Sequence, residues 1–170
     1  IRLDYSAGGV PLLNQVKGEM AAQFSKRGIT VIPKGGAGAG GVPDAGDPGF
    51  KEGESLWEYF RRADFEKDVE APDGSTSRVG VTPVLVLDQF EEFFTLGKHH
   101  LQRDELMDEL YWLIEDQVPP VLEERILNRR EVFPFLREYS TFRVVLGLRE
   151  DYLPHMDELK QRIPSLHRVT

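Results

Sequence analysis

The segment Pro83-Val84-Leu85-Val86-Leu87-Asp88 restricts the fold of this chain more than any other. Four consecutive apolar residues between a proline and an acid are too few for a helix and read as a strand. With no polar alternate, the run has the pattern of a strand buried on both faces of a parallel sheet. A second strand of the same kind spans Phe142 to Leu148 and ends at Arg149-Glu150-Asp151. Two such strands pair in parallel only through a crossover, and the residues between them supply one. Leu106, Leu110, Leu113 and Ile114 form an apolar stripe that predicts a helix over 102–114. A further helix over 121–130 follows Pro119-Pro120. This succession is the grammar of an α/β sheet with right-handed crossovers.

The rest of the chain fits around that frame. Ile1 to Asp4 reads as the tail of a strand, so the chain is expected to be part of something longer. Leu12, Leu13, Val16, Met20, Ala21 and Phe24 recur at helical spacing, with Pro11 at the first helical position and Gly28 as the stop. Ile29 to Ile32 reads as a minor strand or a helix-to-loop connection. Ser55 caps a helix running to about Phe65, and Pro154 opens a last helical stretch to about Arg162. Residues 33–53 and 67–82 are expected to be loops. The first of these contains Gly36-x-Gly38-x-x-Gly41, the spacing of a dinucleotide fingerprint. Prolines follow it instead of a helix, so no helix N-terminus is expected to face a phosphate there.

Composition narrows the class. With 40% apolar and 29% charged residues the chain has the make-up of a soluble globular domain, and 170 residues suffice for a sizeable core. No apolar run approaches the ~20 residues that span a bilayer. A formal charge of -8 argues against a nucleic-acid surface, and the absence of cysteine excludes disulfides and thiolate metal sites. A cytoplasmic location is the expectation. His99, His100, His155 and His167 lack ligand spacing. Arg125, Arg129 and Arg130 share their helix with Glu123, Glu124 and Glu131 and read as a solvated face.

Chemistry concentrates at the ends of the two strands. Open α/β sheets bind ligands at the carboxyl ends of their strands. Asp88 stands at one such end and could hold Mg2+ through a water. Glu91 or Glu92, one short turn on, could orient or deprotonate an attacking water. Arg149 leaves the second strand at the same edge, where a guanidinium could neutralise a terminal phosphate. Phe90, Phe93 and Phe94 flank the first strand and read as core.

The run Asp88-Gln89-Phe90-Glu91-Glu92-Phe93-Phe94-Thr95 resembles the Walker B segment of STAND-class P-loop NTPases, bacterial signalling ATPases related to the NACHT family. Val144-Val145-Leu146-Gly147-Leu148-Arg149-Glu150-Asp151-Tyr152-Leu153 is similar to their sensor strand, and Ser55-Leu56-Trp57-Glu58-Tyr59-Phe60 also resembles bacterial members. The resemblance implies a three-layer αβα P-loop NTPase-like domain with a mostly parallel sheet, incomplete at its N-terminus, over residues 1–170. It implies the strand order 5-1-4-3-2, in which Ile1–Asp4, Val84–Asp88 and Phe142–Leu148 are strands 2, 3 and 4. It implies ATP as substrate and Mg2+ as cofactor, with Asp88 on the metal, Glu91 (or Glu92) on the water and Arg149 on the γ-phosphate. The partners it implies are the remaining domains of a larger parent and further copies on activation, with neither nucleic acid nor membrane. The chain departs from the family in one respect: no Gly-x-x-x-x-Gly-Lys-Ser/Thr loop occurs in it. The resemblance places that loop upstream of Ile1, so the 170 residues alone are expected to be inactive. Two other readings fit the same acids: a non-hydrolytic scaffold module, and a metal-dependent hydrolase built on carboxylates.

Overall fold

The computed structural model describes all residues except 6–9, 35–48, 100–101, 129–140 and 169–170. The fingerprint glycines and the basic residues Arg129 and Arg130 lie outside the described part. Helix α1 (Leu12–Lys26) buries Leu12, Leu13, Val16, Met20 and Phe24, the stripe its periodicity predicts. Pro11 stands one position earlier than expected, as the N-cap, and Gly28 closes the turn after the helix with φ +64°. Strand β1 (Ile29–Pro33) follows. Helix α2 (Leu56–Arg62) begins with a capping box, in which the Ser55 side chain accepts from the Glu58 amide while the Glu58 carboxylate accepts from the Ser55 amide.

That helix is shorter than expected. From Ala63 the chain turns into β2 (Ala63–Glu70), which pairs antiparallel with both β1 and β3 (Thr76–Gly80). A hairpin therefore occupies most of 67–82, where a loop was expected. Its arm is exposed from Lys67 on, every residue of β3 is exposed, and charged side chains stand on the strands. A hairpin that buries little has no apolar alternation to betray it. Its turn is held locally: the Asp73 carboxylate accepts from the Ser75 amide and hydroxyl at 2.9 and 2.6 Å, and Gly74 takes φ +79°.

Strands β4 (Val84–Leu87) and β5 (Arg143–Leu146) pair in parallel and in register, Val84 opposite Arg143 and Leu87 opposite Leu146. On the other edge of β4, Arg2 bridges Asp88 in parallel, the Asp88 amide donates to the Ile1 carbonyl (2.8 Å) and the Ile1 nitrogen donates to the Val86 carbonyl (2.6 Å). Ile1 and Arg2, β4 and β5 thus lie side by side. The architecture is mixed α/β, with a three-stranded antiparallel sheet and a smaller parallel one. Among the described strands, parallel pairing is confined to the smaller sheet.

Burial on both faces of β4 is also corrected. Leu85 and Leu87 are buried, whereas Val84 is 55% exposed, Val86 42%, and Val145 on β5 46%. A continuous apolar run shows that a strand tolerates cover on both faces, but the cover itself must come from other elements. The covered side joins one core with Leu3, the α1 stripe, Tyr59 and Phe60, and Leu106, Leu110 and Leu113 of α4 (Arg103–Glu115). Between β4 and α4 lie α3 (Glu91–Thr95) and a 3-10 turn (Leu96–His99). Helix α5 (Pro120–Leu127) precedes β5; a 3-10 segment (Glu150–His155), which begins earlier than the predicted helix, leads into α6 (Met156–Arg162) and a final turn (Pro164–Arg168). No described helix is long and apolar enough to cross a membrane.

Candidate functional site

Because β4 and β5 are parallel and in register, their carboxyl ends open on the same side. Asp88 follows Leu87 there, exposed, and Gly147 is its neighbour across the strands. The Gly147 amide donates to the Leu87 carbonyl (2.8 Å) and the Phe90 amide donates to the Gly147 carbonyl (2.7 Å), so the pairing continues past the strand ends. A Cβ built on Gly147 would stand 3.3 Å from Asp88 Oδ1 and 3.7 Å from its Cα. Glycine at 147 leaves the space that the Asp88 carboxylate occupies.

Gln89 then makes the turn from strand to helix with φ +55°, a left-handed conformation that is costly for a residue with a Cβ. Its Oε1 is buried and meets no hydrogen-bond donor among the described residues. Such strain persists only where the surroundings over-determine it. Here the determinant is the aromatic cluster behind it: Phe90 stacks on Phe93 (4.9 Å, 9° between planes), and Phe94 meets both edge-on at 5.9 Å. All three rings are buried, as the sequence indicates. Arg103, in the first turn of α4, lies over the Phe93 ring at 4.8 Å.

These rings fix the start of α3, and α3 sends its two acids in different directions. Glu91 turns toward β5, where its Oε2 accepts from the Arg149 amide at 3.4 Å, a long bond. Glu92 turns toward the opposite strand and pairs with Arg2 at 3.1 Å. It also lies close enough to Tyr5 to act on its hydroxyl, whose pKa is raised well above the usual value by burial first and by the Glu92 charge second. The Arg149 backbone reaches the site, but its guanidinium pairs with Asp151 at 2.8 Å, both side chains more than half exposed. Exposed pairs of this kind are worth little and exchange partners readily. The structure therefore gathers Asp88, Glu91 and the Arg149 backbone at one end of the parallel sheet, and ties Glu92 there to Arg2, on the other side of Asp88 from Gly147.

Tyr5 is held by a neighbour that sequence reading passed over. A Cβ on Gly97, in the turn after α3, would come within 2.8 Å of Tyr5 Cε1. Gly97→Ala is expected to displace the ring and destabilise the chain by about 1–3 kcal/mol, the usual cost of overpacking. Denaturant unfolding checks this; an unchanged midpoint would show that the ring moves freely.

Among the described residues no three His, Asp or Glu side chains cluster to hold a metal ion. What the strand ends offer is one exposed carboxylate oxygen donor, the set that suits a Mg2+ ion keeping most of its waters. A cavity of about 550 Å3 lies between α1, β1 and β4. It is bounded by Met20, Phe24, Phe60 and Val84, away from all of these acids. In comparison with known proteins, the chain matches no family model, no curated protein and no solved structure.

Proposed function

We propose that these residues are the Walker B and sensor part of a STAND-type ATPase, a three-layer P-loop domain completed by a phosphate loop that this sequence does not contain. The observation that carries the reading is the parallel, in-register pairing of β4 with β5. It brings Asp88 and Glu91 to the carboxyl end of a sheet in which residues 1–4 flank the other edge of β4. Ligands bind open α/β sheets at that end.

In this reading Asp88, whose carboxylate Gly147 leaves room for at the strand end, would hold Mg2+ through a water. Bound there, the ion supplies charge neutralisation to the phosphates. Glu91, whose carboxylate accepts a long bond from the Arg149 amide, orients the attacking water. The Arg149 guanidinium exchanges its exposed pairing with Asp151 for the γ-phosphate, a better partner for a planar cation. Glu92 is structural, tied to Arg2.

The test is Mg-ATP binding and hydrolysis by the full-length protein that carries these residues. Asp88→Asn is expected to weaken Mg2+-dependent nucleotide binding by roughly 10–100-fold, the usual effect of losing a group that orients a metal's ligands, and to slow turnover with it. Nucleotide binding that is strong, Mg2+-dependent and indifferent to Asp88→Asn would remove the proposed role of Asp88. No nucleotide binding at all would favour the scaffold reading.

A further inference from the structure

Glu109 is a buried carboxyl that the proposed site does not use. It sits mid-way along α4, 6% exposed, and its Oε2 accepts from the Leu56 amide at 2.7 Å. Leu56 is the first residue of α2, so the bond fastens one of the free amides at the start of that helix to the side of another helix. The capping box supplies partners for the neighbouring groups but not for this amide; Glu109, far away in sequence, does so instead.

The surroundings hold opposing charges. Among the described residues, Lys17 of α1 attracts a negative charge on Glu109, while Glu58 of α2 and Glu105 of its own helix repel it. Lys17 also donates to the Glu54 carbonyl, and Glu58 is paired with Arg125 of α5 at 3.0 Å, so both are partly committed elsewhere. The dipole at the α2 N-terminus favours the ionised form; burial opposes it.

The same seam carries a reporter. Trp57, next to Leu56 and 2% exposed, donates through Nε1 to Asp116 Oδ1 at 3.1 Å, where α4 ends. Arg61 lies over its ring at 4.9 Å and also pairs with Asp116. Helices α2 and α4 are thus joined at two places, the Leu56–Glu109 bond and the Asp116 cluster.

We propose that Glu109 is a proton-controlled latch between α2 and α4: neutral, it sits dry on the Leu56 amide and holds the seam shut, and ionised, it draws in water and loosens the seam. The proposal stands independently of any nucleotide. Burial, the largest influence, raises the pKa of the carboxyl to about 7, within the range a cell can cross. A pKa raised in the folded state means that the stabilisation is complete at pH values below about 4.5, the ordinary value, and is lost as pH rises through about 7.

The experiment follows Trp57 fluorescence from pH 5 to 8.5 in a Trp112→Phe background, which leaves Trp57 as the one tryptophan. Protection of the Leu56 amide against hydrogen exchange, corrected for intrinsic rates, is measured alongside. The expected result is a single transition centred near 7 in both signals, with Leu56 protection falling several-fold on the alkaline side. In Glu109→Gln, whose amide oxygen still accepts from Leu56 but does not ionise in this range, both transitions should vanish and protection should persist. A transition that survives Glu109→Gln assigns the effect to another group and overturns the proposal. Should that variant fold poorly, the carboxyl 13C shift of Glu109 in the otherwise unaltered chain decides: a midpoint near 4.5 overturns the latch, and one near 7 supports it.

Discussion

Glu91→Gln in the full-length protein is expected to lower single-turnover ATP hydrolysis by about 10²–10⁴-fold while leaving nucleotide affinity nearly unchanged. A group that orients the attacking water acts mainly in the transition state, so its loss appears in turnover and not in ground-state binding. Glu92→Gln should be mild by comparison. The two carboxylates are adjacent in sequence, yet the first helical turn of α3 sends Glu91 to the Arg149 amide and Glu92 to Arg2 on the opposite strand. Losing the Arg2 pair removes an ion pair near the surface worth about 0–1 kcal/mol and leaves the Glu91–Arg149 contact in place. Single-turnover rates with nucleotide affinity measured in parallel separate the cases. Wild-type turnover in Glu91→Gln beside an inactive Glu92→Gln would move the catalytic role one residue along. Wild-type turnover in both would leave the domain without a carboxylate base and favour a scaffold.

The second large effect concerns stability. Phe93→Ala is expected to cost about 3–5 kcal/mol, the range for removing a buried aromatic ring. Phe93 has no exposed surface, stacks on Phe90, meets Phe94 edge-on and takes the Arg103 guanidinium on its face. Its removal opens a cavity at the junction of α3, α4 and the end of β4. It also withdraws support from the left-handed turn at Gln89, so local strain is relieved as the core weakens. Domains are commonly stable by only about 5–15 kcal/mol, so this one change takes a large part of the total. Denaturant unfolding with Phe93→Leu as the companion variant gives the measure. A loss below about 1 kcal/mol for Phe93→Ala would mean that the site collapses around the gap and that the three rings do not hold the turn in place.

Both effects can be traced to what the sequence carries and what it leaves open. Local patterns settled the elements that bury an apolar face: the α1 stripe from Leu12 to Phe24, the α4 stripe at Leu106, Leu110 and Leu113, and the parallel strands β4 and β5. Ser55 announced itself as a cap because it acts within one helical turn; its reciprocal bond with Glu58 appears in the structure. The hairpin β2–β3 escaped notice since it buries almost nothing and so imposes no period on its side chains. Partial exposure of β4 was equally hidden, for an apolar run specifies what a strand can bury and not which elements cover it.

Asp88, Glu91, Glu92 and Arg149 could be picked out as candidates from their places after two apolar runs. Their places relative to one another were decided by contacts across the fold: Gly147 against Asp88, the Arg149 amide on Glu91, Arg2 on Glu92, Asp151 on the Arg149 guanidinium. Glu109 gave no signal in the chain at all. On α4 it reads as one more charged residue, and only the approach of α2 to α4 buries it on the Leu56 amide and moves its titration toward neutrality. Periodicity and capping act between residues a few positions apart and are therefore written along the sequence. Burial, ion pairing and proton affinity depend on neighbours that only the folded chain brings within a few ångströms.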